Sequence, residues 1–306
     1  MSTVHSRAPS PLIVNSALAL LCGIWGSTWL VIREGLEDLP PMSSAGSRFA
    51  VAALLFFVLV PLMRKYEGGI APPRWMWLIN GVISFAVPYG LVYYCEQTLP
   101  SGLVSLLWAV FPMMQAMAGH FFLPGEQLGG RKWLGFLIGF IGVAALFHTD
   151  LADLGTSALA TGALLLCSPL SSCLGTTLIK RYGAGINSLV LNRNSMSVAA
   201  VLLLVAAGLS EYSADMQWTA RAIASIGYLA LFGTVITFGL YFWLLRFAHA
   251  HYLSLISYIT PALALFLGWF FADEPISRYT FLGGGLIFAG ILLIVAPRGA
   301  IRQFTS

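Results

Sequence analysis

Long apolar runs recur along this chain, and they constrain its fold more than any other feature. A helix needs about 20 mostly apolar residues to cross the hydrocarbon core of a bilayer. The runs are continuous and lack the polar–apolar alternation of barrel strands, so they predict helices. Ten segments are predicted, over residues 12–32, 43–63, 75–95, 101–122, 132–148, 157–178, 188–208, 222–246, 251–271 and 279–296.

Composition places these helices in a membrane. Of the 306 residues, 58% are hydrophobic and only 9% are charged, whereas an ordinary soluble domain has about 25% charged residues. An all-α membrane protein in contact with lipid is therefore predicted. The first run is longer than the apolar region of a signal peptide, so it is interpreted as a retained transmembrane helix. The basic residues are scattered singly and in pairs between apolar runs, and no nucleic-acid partner is predicted.

The loops differ in charge on the two sides of the predicted bundle. One side holds most of the basic residues, and the other holds the acidic residues Glu34, Glu37, Asp38, Glu96, Asp150, Asp153, Glu211, Asp215, Asp273 and Glu274. By the positive-inside rule the basic side is cytoplasmic. A multi-pass protein of the inner (plasma) membrane is predicted, with cytoplasmic tails over residues 1–11 and 298–306.

The second half of the chain repeats the first. The clearest aligned pairs are Pro112 with Pro261, Glu126 with Glu274, and Gly142 with Gly290. The predicted repeats cover residues 12–149 and 150–297. A five-helix unit crosses the membrane an odd number of times, so its copy lies upside down. Inverted repeats are typical of transporters that work by alternating access, with a site between the halves.

Several short motifs resemble those of the EamA family of the drug/metabolite transporter superfamily. They are Trp25-Gly26-Ser27-Thr28 with Arg33, Pro41 with Arg48-Phe49, Glu96 followed by Pro100-Ser101-Gly102, and Gly135-x-x-x-Gly139-x-x-Gly142. The second half departs more from the pattern, with Pro169 near the place of Trp25. The resemblance implies ten helices in two inverted halves and transport of small metabolites, often amino acids and mostly outward. It does not name the substrate.

Three charged residues are candidates for the transport pathway. Arg48 is interpreted either as a substrate-anion contact or gate, or as a side chain that snorkels to the outer headgroups. Arg193, its counterpart near the inner face, is either a second gate residue or an interface anchor. Glu96 is expected either to pair with Arg48 and couple transport to protons, or to be a solvated acid at a helix end.

Aromatic residues and a histidine complete the candidate site. Trp25, Tyr89, Trp108 and Tyr258 lie near helix middles, where they line a cavity or pack in the core. An aromatic lining suits amphipathic or cationic ligands. His120 is a second proton-coupling candidate, with a neutral interface histidine as the alternative.

Prolines and glycines predict bends and close packing. Pro112 and Pro261 are candidate hinges, since each removes a helical hydrogen bond. The glycines from 135 to 139 and from 283 to 285 are expected either to pack internally or to form a dimer face. An oligomer is possible but not indicated. The cysteines, Cys22, Cys95, Cys167 and Cys173, are expected to be buried free thiols.

The motifs of other function classes are missing from the sequence. It contains no Walker motif, no G-x-S-x-G and no H-E-x-x-H. The His249-Ala-His251 pair fits a metal site only loosely, beside the basic Arg246. The sequence therefore predicts a transporter without cofactor or metal and without enzymatic activity. A passive facilitator, exchanger or channel-like pore is the alternative, and an intramembrane enzyme is the weaker third reading.

Overall fold

The structure is a computed structural model that describes residues 10–124, 127–247 and 256–295. These residues form helices, and the only extended pairing among them is a single bridge between Ile70 and Ile186. Ten helices cross the bundle. They are α1 (Pro11–Leu36), α2 (Pro41–Glu67), α3 (Arg74–Cys95), α4 (Ser101–Phe122), α5 (Gly130–Leu151), α6 (Thr156–Tyr182), α7 (Ser188–Ser210), α8 (220–247), α9 (Ile256–Ala272) and α10 (Arg278–Val295).

These helices confirm the predicted all-α membrane fold with about ten helices. Eight of the helices in the described residues, α1 to α8, are long and apolar enough to span a membrane, and α9 and α10 are shorter apolar helices. Most predicted segments match the observed helices within a few residues. The first part of the ninth segment, residues 251–255, lies outside the described residues.

Glycine contacts join counterpart helices from the two halves. An added Cβ at Gly135 would come within 2.6 Å of the Gly290 carbonyl oxygen, and one at Gly142 within 2.6 Å of the Gly283 carbonyl oxygen. Helices α5 and α10 therefore pack backbone to backbone, as small residues allow in membranes. Of the two sequence interpretations, internal packing is the one observed for Gly135 and Gly283.

Several helices are interrupted, among them α5 by a π-helical segment at Phe147–Leu151 and α6 at Leu166. Helices α3 and α8 each contain a six-residue π-helical segment, Gly81–Ala86 and Leu231–Ile236. Helix α4 breaks at 109–110, directly before Pro112. The sequence predicts the proline break, but it does not predict the π segments, which frequently occur at functional sites.

The cysteines are all free, but they do not all lie in the interior. Cys22, Cys95 and Cys173 are buried as expected, whereas Cys167 is exposed. The prediction for Cys167 is wrong because an apolar run does not show which face of its helix packs inward. In lipid, an apolar side chain is as well solvated on the outer face as in the core.

Replacing Gly290 by alanine is expected to destabilise the bundle. The new methyl group would meet the Gly135 carbonyl oxygen at 2.5 Å and the Gly139 nitrogen at 2.8 Å, and backbone atoms have little room to move. Overpacking of this kind costs about 1–3 kcal/mol. Thermal unfolding in detergent, followed by size-exclusion chromatography, measures the loss.

Gly285→Ala is the matched control, because it adds the same methyl group to the same helix with nothing within 4 Å. Equal unfolding midpoints for the two variants would contradict close α5–α10 packing.

Candidate functional site

Four carboxylates join the two halves at one end of the bundle. This end, called the acidic end, carries the α1–α2, α3–α4, α5–α6, α7–α8 and α9–α10 connections; the opposite end is called the basic end. Each carboxylate belongs to one half and binds the start of a helix in the other half. The four are Asp38, Asp150, Glu211 and Glu274.

Asp38 follows α1 and binds the beginning of α8. Its carboxylate accepts hydrogen bonds from Thr219 Oγ1 at 2.6 Å and from Arg221 Nε and Nη2 at 2.8 Å. The Arg221 guanidinium and the Thr219 hydroxyl lower the pKa of Asp38 to about 2. This carboxylate is therefore ionised throughout the physiological pH range.

Glu211 and Glu274 cap helix starts across the halves. Glu211 accepts from the backbone N–H groups of Met42 and Ser43 at 2.7 and 2.8 Å, at the start of α2. Glu274 accepts from Ser101 N at 2.6 Å and from Gly102 N at 2.9 Å, at the start of α4. A carboxylate suits this position because the first N–H groups of a helix have no partner within the helix.

Asp150 completes the set at the end of α5. Its Oδ1 accepts from Ser277 Oγ at 2.6 Å and from Thr280 Oγ1 at 2.8 Å. Ser277 in turn accepts from the N–H groups of Tyr279 and Thr280 and caps α10. A cavity of about 160 Å³ opens beside this contact, between Asp150, Asp153 and Glu274.

Glu96 lies in the turn between α3 and α4, where it is fully buried. Neither carboxyl oxygen has a hydrogen-bond partner among the residues that the structure describes. The Arg33 side chain contacts the backbone of Glu96 instead, and Arg33 Nη1 donates to the Glu96 carbonyl oxygen at 2.9 Å. Burial, and then the neighbouring Glu274 carboxylate, raise the pKa of Glu96 well above its usual range, against the smaller opposing effect of Arg33 and Arg48.

Arg48 is enclosed between the halves. Only 2% of it is exposed, which rules out the snorkelling interpretation in this conformation. Its guanidinium lies 4.9 Å from the centre of the Tyr89 ring and donates to Thr234 Oγ1 at 3.2 Å from Nη2. Thr234 belongs to the π-helical segment of α8, so Arg48 connects the first half to the second.

Arg48 and Glu96 do not form the predicted ion pair. No salt bridge of either residue is found among the described residues, although both lie within the bundle near its acidic end. Arg48 contacts Tyr93 instead, whose hydroxyl lies 3.5 Å from Arg48 Nη1. The result is a buried cation solvated by hydroxyl groups and aromatic rings, close to a buried carboxyl group without a partner.

The four candidate aromatic residues are half-buried, and each contacts other helices. Trp25 packs against Tyr241 at 5.7 Å between ring centres, and Tyr258 packs against Phe288 at 5.8 Å. Trp108 Nε1 donates to Ser168 Oγ at 2.9 Å. Tyr89 packs against the Phe49 ring and Arg48. The Tyr258 hydroxyl is buried and has no hydrogen-bond partner within the described part of the chain.

Arg193 and His120 lie apart from Arg48 and Glu96. Arg193 covers the Phe57 ring at 4.9 Å, and Phe57 is itself half exposed, as an interface anchor would be. His120 Nδ1 accepts a hydrogen bond from Leu128 N at 3.2 Å. This acceptor role fits a neutral histidine that fixes the α4–α5 connection.

The hinge residues lie within the described helices, whereas the histidine pair considered as a metal site does not. Pro112 follows the break in α4, and Pro261 lies inside α9, so both are placed to bend their helices. The described residues contain no group of three metal-ligating side chains. His249 and His251 lie outside them, as does Glu126.

Sequence reasoning missed the cross-half contacts. In the sequence, Glu274 is a repeat match and, with Glu211 and Asp150, one of the acids on the acidic side, and no cross-half contact is predicted for them or for Thr234. One signal was available for Glu211 and Glu274, because each acid directly follows a long apolar run on the side where another run begins. Nothing in the sequence shows which helix start each acid reaches.

This architecture, two five-helix halves around buried charges, is that of a multi-pass membrane transporter. The EamA-like transporter family matches residues 13–147 and 160–296. The chain therefore belongs to the EamA-like transporter family, and the match to both halves confirms the repeat and the predicted family.

Proteins from distant bacteria are similar over nearly the whole chain. "Uncharacterized transporter YoaV" of Bacillus subtilis is 28% identical over 88% of this chain and 92% of its own length. "Uncharacterized inner membrane transporter YedA" of Escherichia coli is 29% identical over 91% of this chain and 89% of its own length. One crystal structure has the same fold, with a TM-score of 0.63, 16% identity, and coverage of 97% of this chain and all of the other.

Glu96→Gln is expected to change how stability depends on pH. With its pKa raised in the folded state, Glu96 keeps its proton when folded and loses it on unfolding above about pH 4.3. The wild type therefore loses stability as pH rises from there towards the folded pKa. Glutamine carries no proton to lose, so the difference in unfolding midpoint should grow in favour of Glu96→Gln as the pH rises above the usual pKa of a glutamate.

Glu37→Gln, in the exposed turn after α1, is the matched control, since it makes the same substitution at a solvent-exposed position. Thermal scans in detergent over a series of pH values give the comparison. Parallel curves for the wild type and Glu96→Gln would show that Glu96 is not a protonated buried acid.

Proposed function

We propose that this transporter is a secondary carrier that exports a small metabolite, such as an amino acid or another amphipathic compound, by alternating access and in exchange for protons. The single observation that carries the proposal is the buried pair of unmatched groups between the halves. Arg48 has no counter-ion among the described residues, and Glu96 has no hydrogen-bond partner.

Arg48 is the proposed contact for an anionic group of the substrate. A guanidinium presents several N–H donors in one plane, which matches a carboxylate better than a single point charge does. Its current partners are hydroxyl groups of Thr234 and Tyr93 at 3.2–3.5 Å. An ionised carboxylate would replace these weaker neutral acceptors with a charge-assisted hydrogen bond.

The rings of Trp25, Tyr89, Trp108 and Tyr258 are the proposed lining of the pathway. Tyr89 already packs against the Arg48 guanidinium, so a substrate held at Arg48 would also contact this ring. Arg193 is the proposed counterpart of Arg48 nearer the basic end, and Pro112 and Pro261 are the proposed hinges. His120 is a weaker proton-coupling candidate, because its Nδ1 is already occupied by the Leu128 N–H group.

Glu96 is the proposed proton-coupling residue. In the closed acidic end its burial favours the neutral acid, so closure takes place with a proton bound. Opening this end admits water, which stabilises the ionised carboxylate and allows proton exchange. Proton uptake on one side and release on the other would then accompany each cycle.

The charge distribution supports an orientation with the acidic end outside and both termini in the cytoplasm. The printed name of the related YedA describes an inner membrane transporter, and we propose the inner membrane for this chain as well. Transport rather than an enzymatic reaction is proposed, on the basis of the family.

Flux measurements in proteoliposomes test the proposal. The probes are labelled L-leucine, L-phenylalanine, L-lysine and L-glutamate, each followed with and without a pH gradient. We expect at least one of them to move faster when the gradient is imposed, and Glu96→Gln to abolish this gradient-driven component.

Glu37→Gln is again the control, and it should retain the gradient-driven flux. Flux that ignores the gradient and survives Glu96→Gln would overturn proton coupling and favour a facilitator or an exchanger. An Arg48→Gln variant that transports every probe at the wild-type rate would remove Arg48 from the pathway.

A further inference from the structure

Glu274 is placed where a change in one contact would open the acidic end. It directly follows α9 in the second half, and its two carboxylate oxygens accept from Ser101 N and Gly102 N at the start of α4 in the first half. Only 8% of Glu274 is exposed. One side chain thus holds together two helices that alternating access requires to separate.

The local backbone is shaped for this contact. Asp273 has a φ of 50°, a left-handed conformation that is uncommon for a residue with a side chain. The chain then folds back, and Glu274 N donates to Gly268 O at 3.1 Å. Gly268 lies against the carboxylate so closely that an added Cβ would collide with Glu274 Oε2 and lie 3.3 Å from Ser101 Oγ.

The region under the cap contains polar groups that gain from opening. Both carboxyl oxygens of Glu96 and the hydroxyl of Ser101 are buried, and none of them has a hydrogen-bond partner in the described ranges. Burying such groups unpaired is unfavourable, and contact with water relieves the penalty. The closed state at this end therefore needs a contact that offsets this penalty. The Glu274 cap supplies two charge-assisted hydrogen bonds that do so.

Glu211 caps a helix in the same way as Glu274, but the two helices that it joins are also connected at their opposite ends. It caps α2 from the end of α7, but this helix pair is also tied at the basic end. There Ile70 N donates to Gly185 O at 2.9 Å, and Asn187 N donates to Ile70 O at 2.8 Å. Since both ends of the α2–α7 pair are fastened in the same conformation, this pair is a fixed support.

Helices α4 and α9, by contrast, are both built to bend. Helix α4 is broken at 109–110 before Pro112, and α9 contains Pro261. Neither proline can donate a helical hydrogen bond at its position. A bend at either proline would move the segment on its acidic side without disturbing the contacts that join α2 to α7.

We propose that Glu274 is the latch of a gate at the acidic end, which its carboxylate closes by capping the start of α4 and which opens when α4 and α9 separate there. The gate rests on the proposed alternating-access function, and it adds a positioning residue to it. Glu274 acts on the pathway through α4 and is not itself assigned a contact with the substrate.

Cysteine accessibility tests the latch without any substrate. Ser101→Cys places a nearly isosteric thiol directly under the cap, and Ser105→Cys places one a turn deeper; both serine side chains are buried. Each is introduced after replacement of the four native cysteines, and the protein is held in lipid nanodiscs. The rate of modification by a positively charged, water-soluble thiosulfonate reports how often the end is open.

Glu274→Gln is expected to raise the modification rate by about tenfold, which corresponds to a change of about 1.4 kcal/mol in the equilibrium between the closed and open states. The amide keeps the shape of the side chain but points a donor at one of the helix N–H groups. Gly268→Ala should give the same increase by displacing the carboxylate, and it serves as the second variant if Glu274→Gln does not fold.

Glu211→Gln is the matched control, because it alters an identical cap at the fixed support, and its modification rate should equal that of the wild type. Unchanged rates in both Glu274→Gln and Gly268→Ala would overturn the latch. An equal rise in Glu211→Gln would also overturn it, since any cap would then loosen the whole end. Labelling that follows this pattern while no probe is transported would leave the gate standing and count against the proposed function alone.

Discussion

Every helix in a bilayer has N–H groups at its first turn that neither the helix nor lipid can satisfy. At the acidic end of this protein, carboxylates from the opposite half accept hydrogen bonds from these N–H groups or from a side chain that caps them. Glu211 caps α2, Glu274 caps α4, and Asp150 binds the Ser277 side chain that caps α10. The two halves are held together by groups that each half needs for its own helices.

This arrangement gives the bundle parts of unequal rigidity. Helices α5 and α10 meet through glycine backbones, and α2 and α7 are tied at both ends. Helices α4 and α9 are joined near the acidic end by the Glu274 cap and by close packing of Gly102 against Leu265, and each contains a proline. Two rigid helix pairs from counterpart positions therefore support a less rigid set that carries Trp108 and Tyr258.

The charged residues inside the bundle are subject to the same requirement that buried polar groups be stabilised. Glu96 and Arg48 are both buried, and burial of a charge is tolerated only when it is neutralised or well hydrogen-bonded. Arg48 is stabilised by Thr234 and by the Tyr89 ring. Burial raises the pKa of Glu96, which favours its neutral form. Two different responses to the same low-dielectric environment leave a fixed cation and a titratable acid near one another, which is the chemistry that the proposed exchange of a metabolite for protons needs.

The sequence by itself determined the number of helices, their approximate ends and the repeat, because these depend only on hydrophobic length and on matching residues such as Pro112 and Pro261. It also identified Arg48 and Glu96, since a charge next to an apolar run is visible without a structure. Only the tertiary structure decided that these two do not pair, that Arg48 binds the π-helical segment of α8, and that Glu274 reaches α4. Such contacts join residues far apart in the chain, and their geometry follows from how the helices pack. Hydrophobicity does not encode that packing, because a lipid-facing surface and a helix-facing surface are equally apolar.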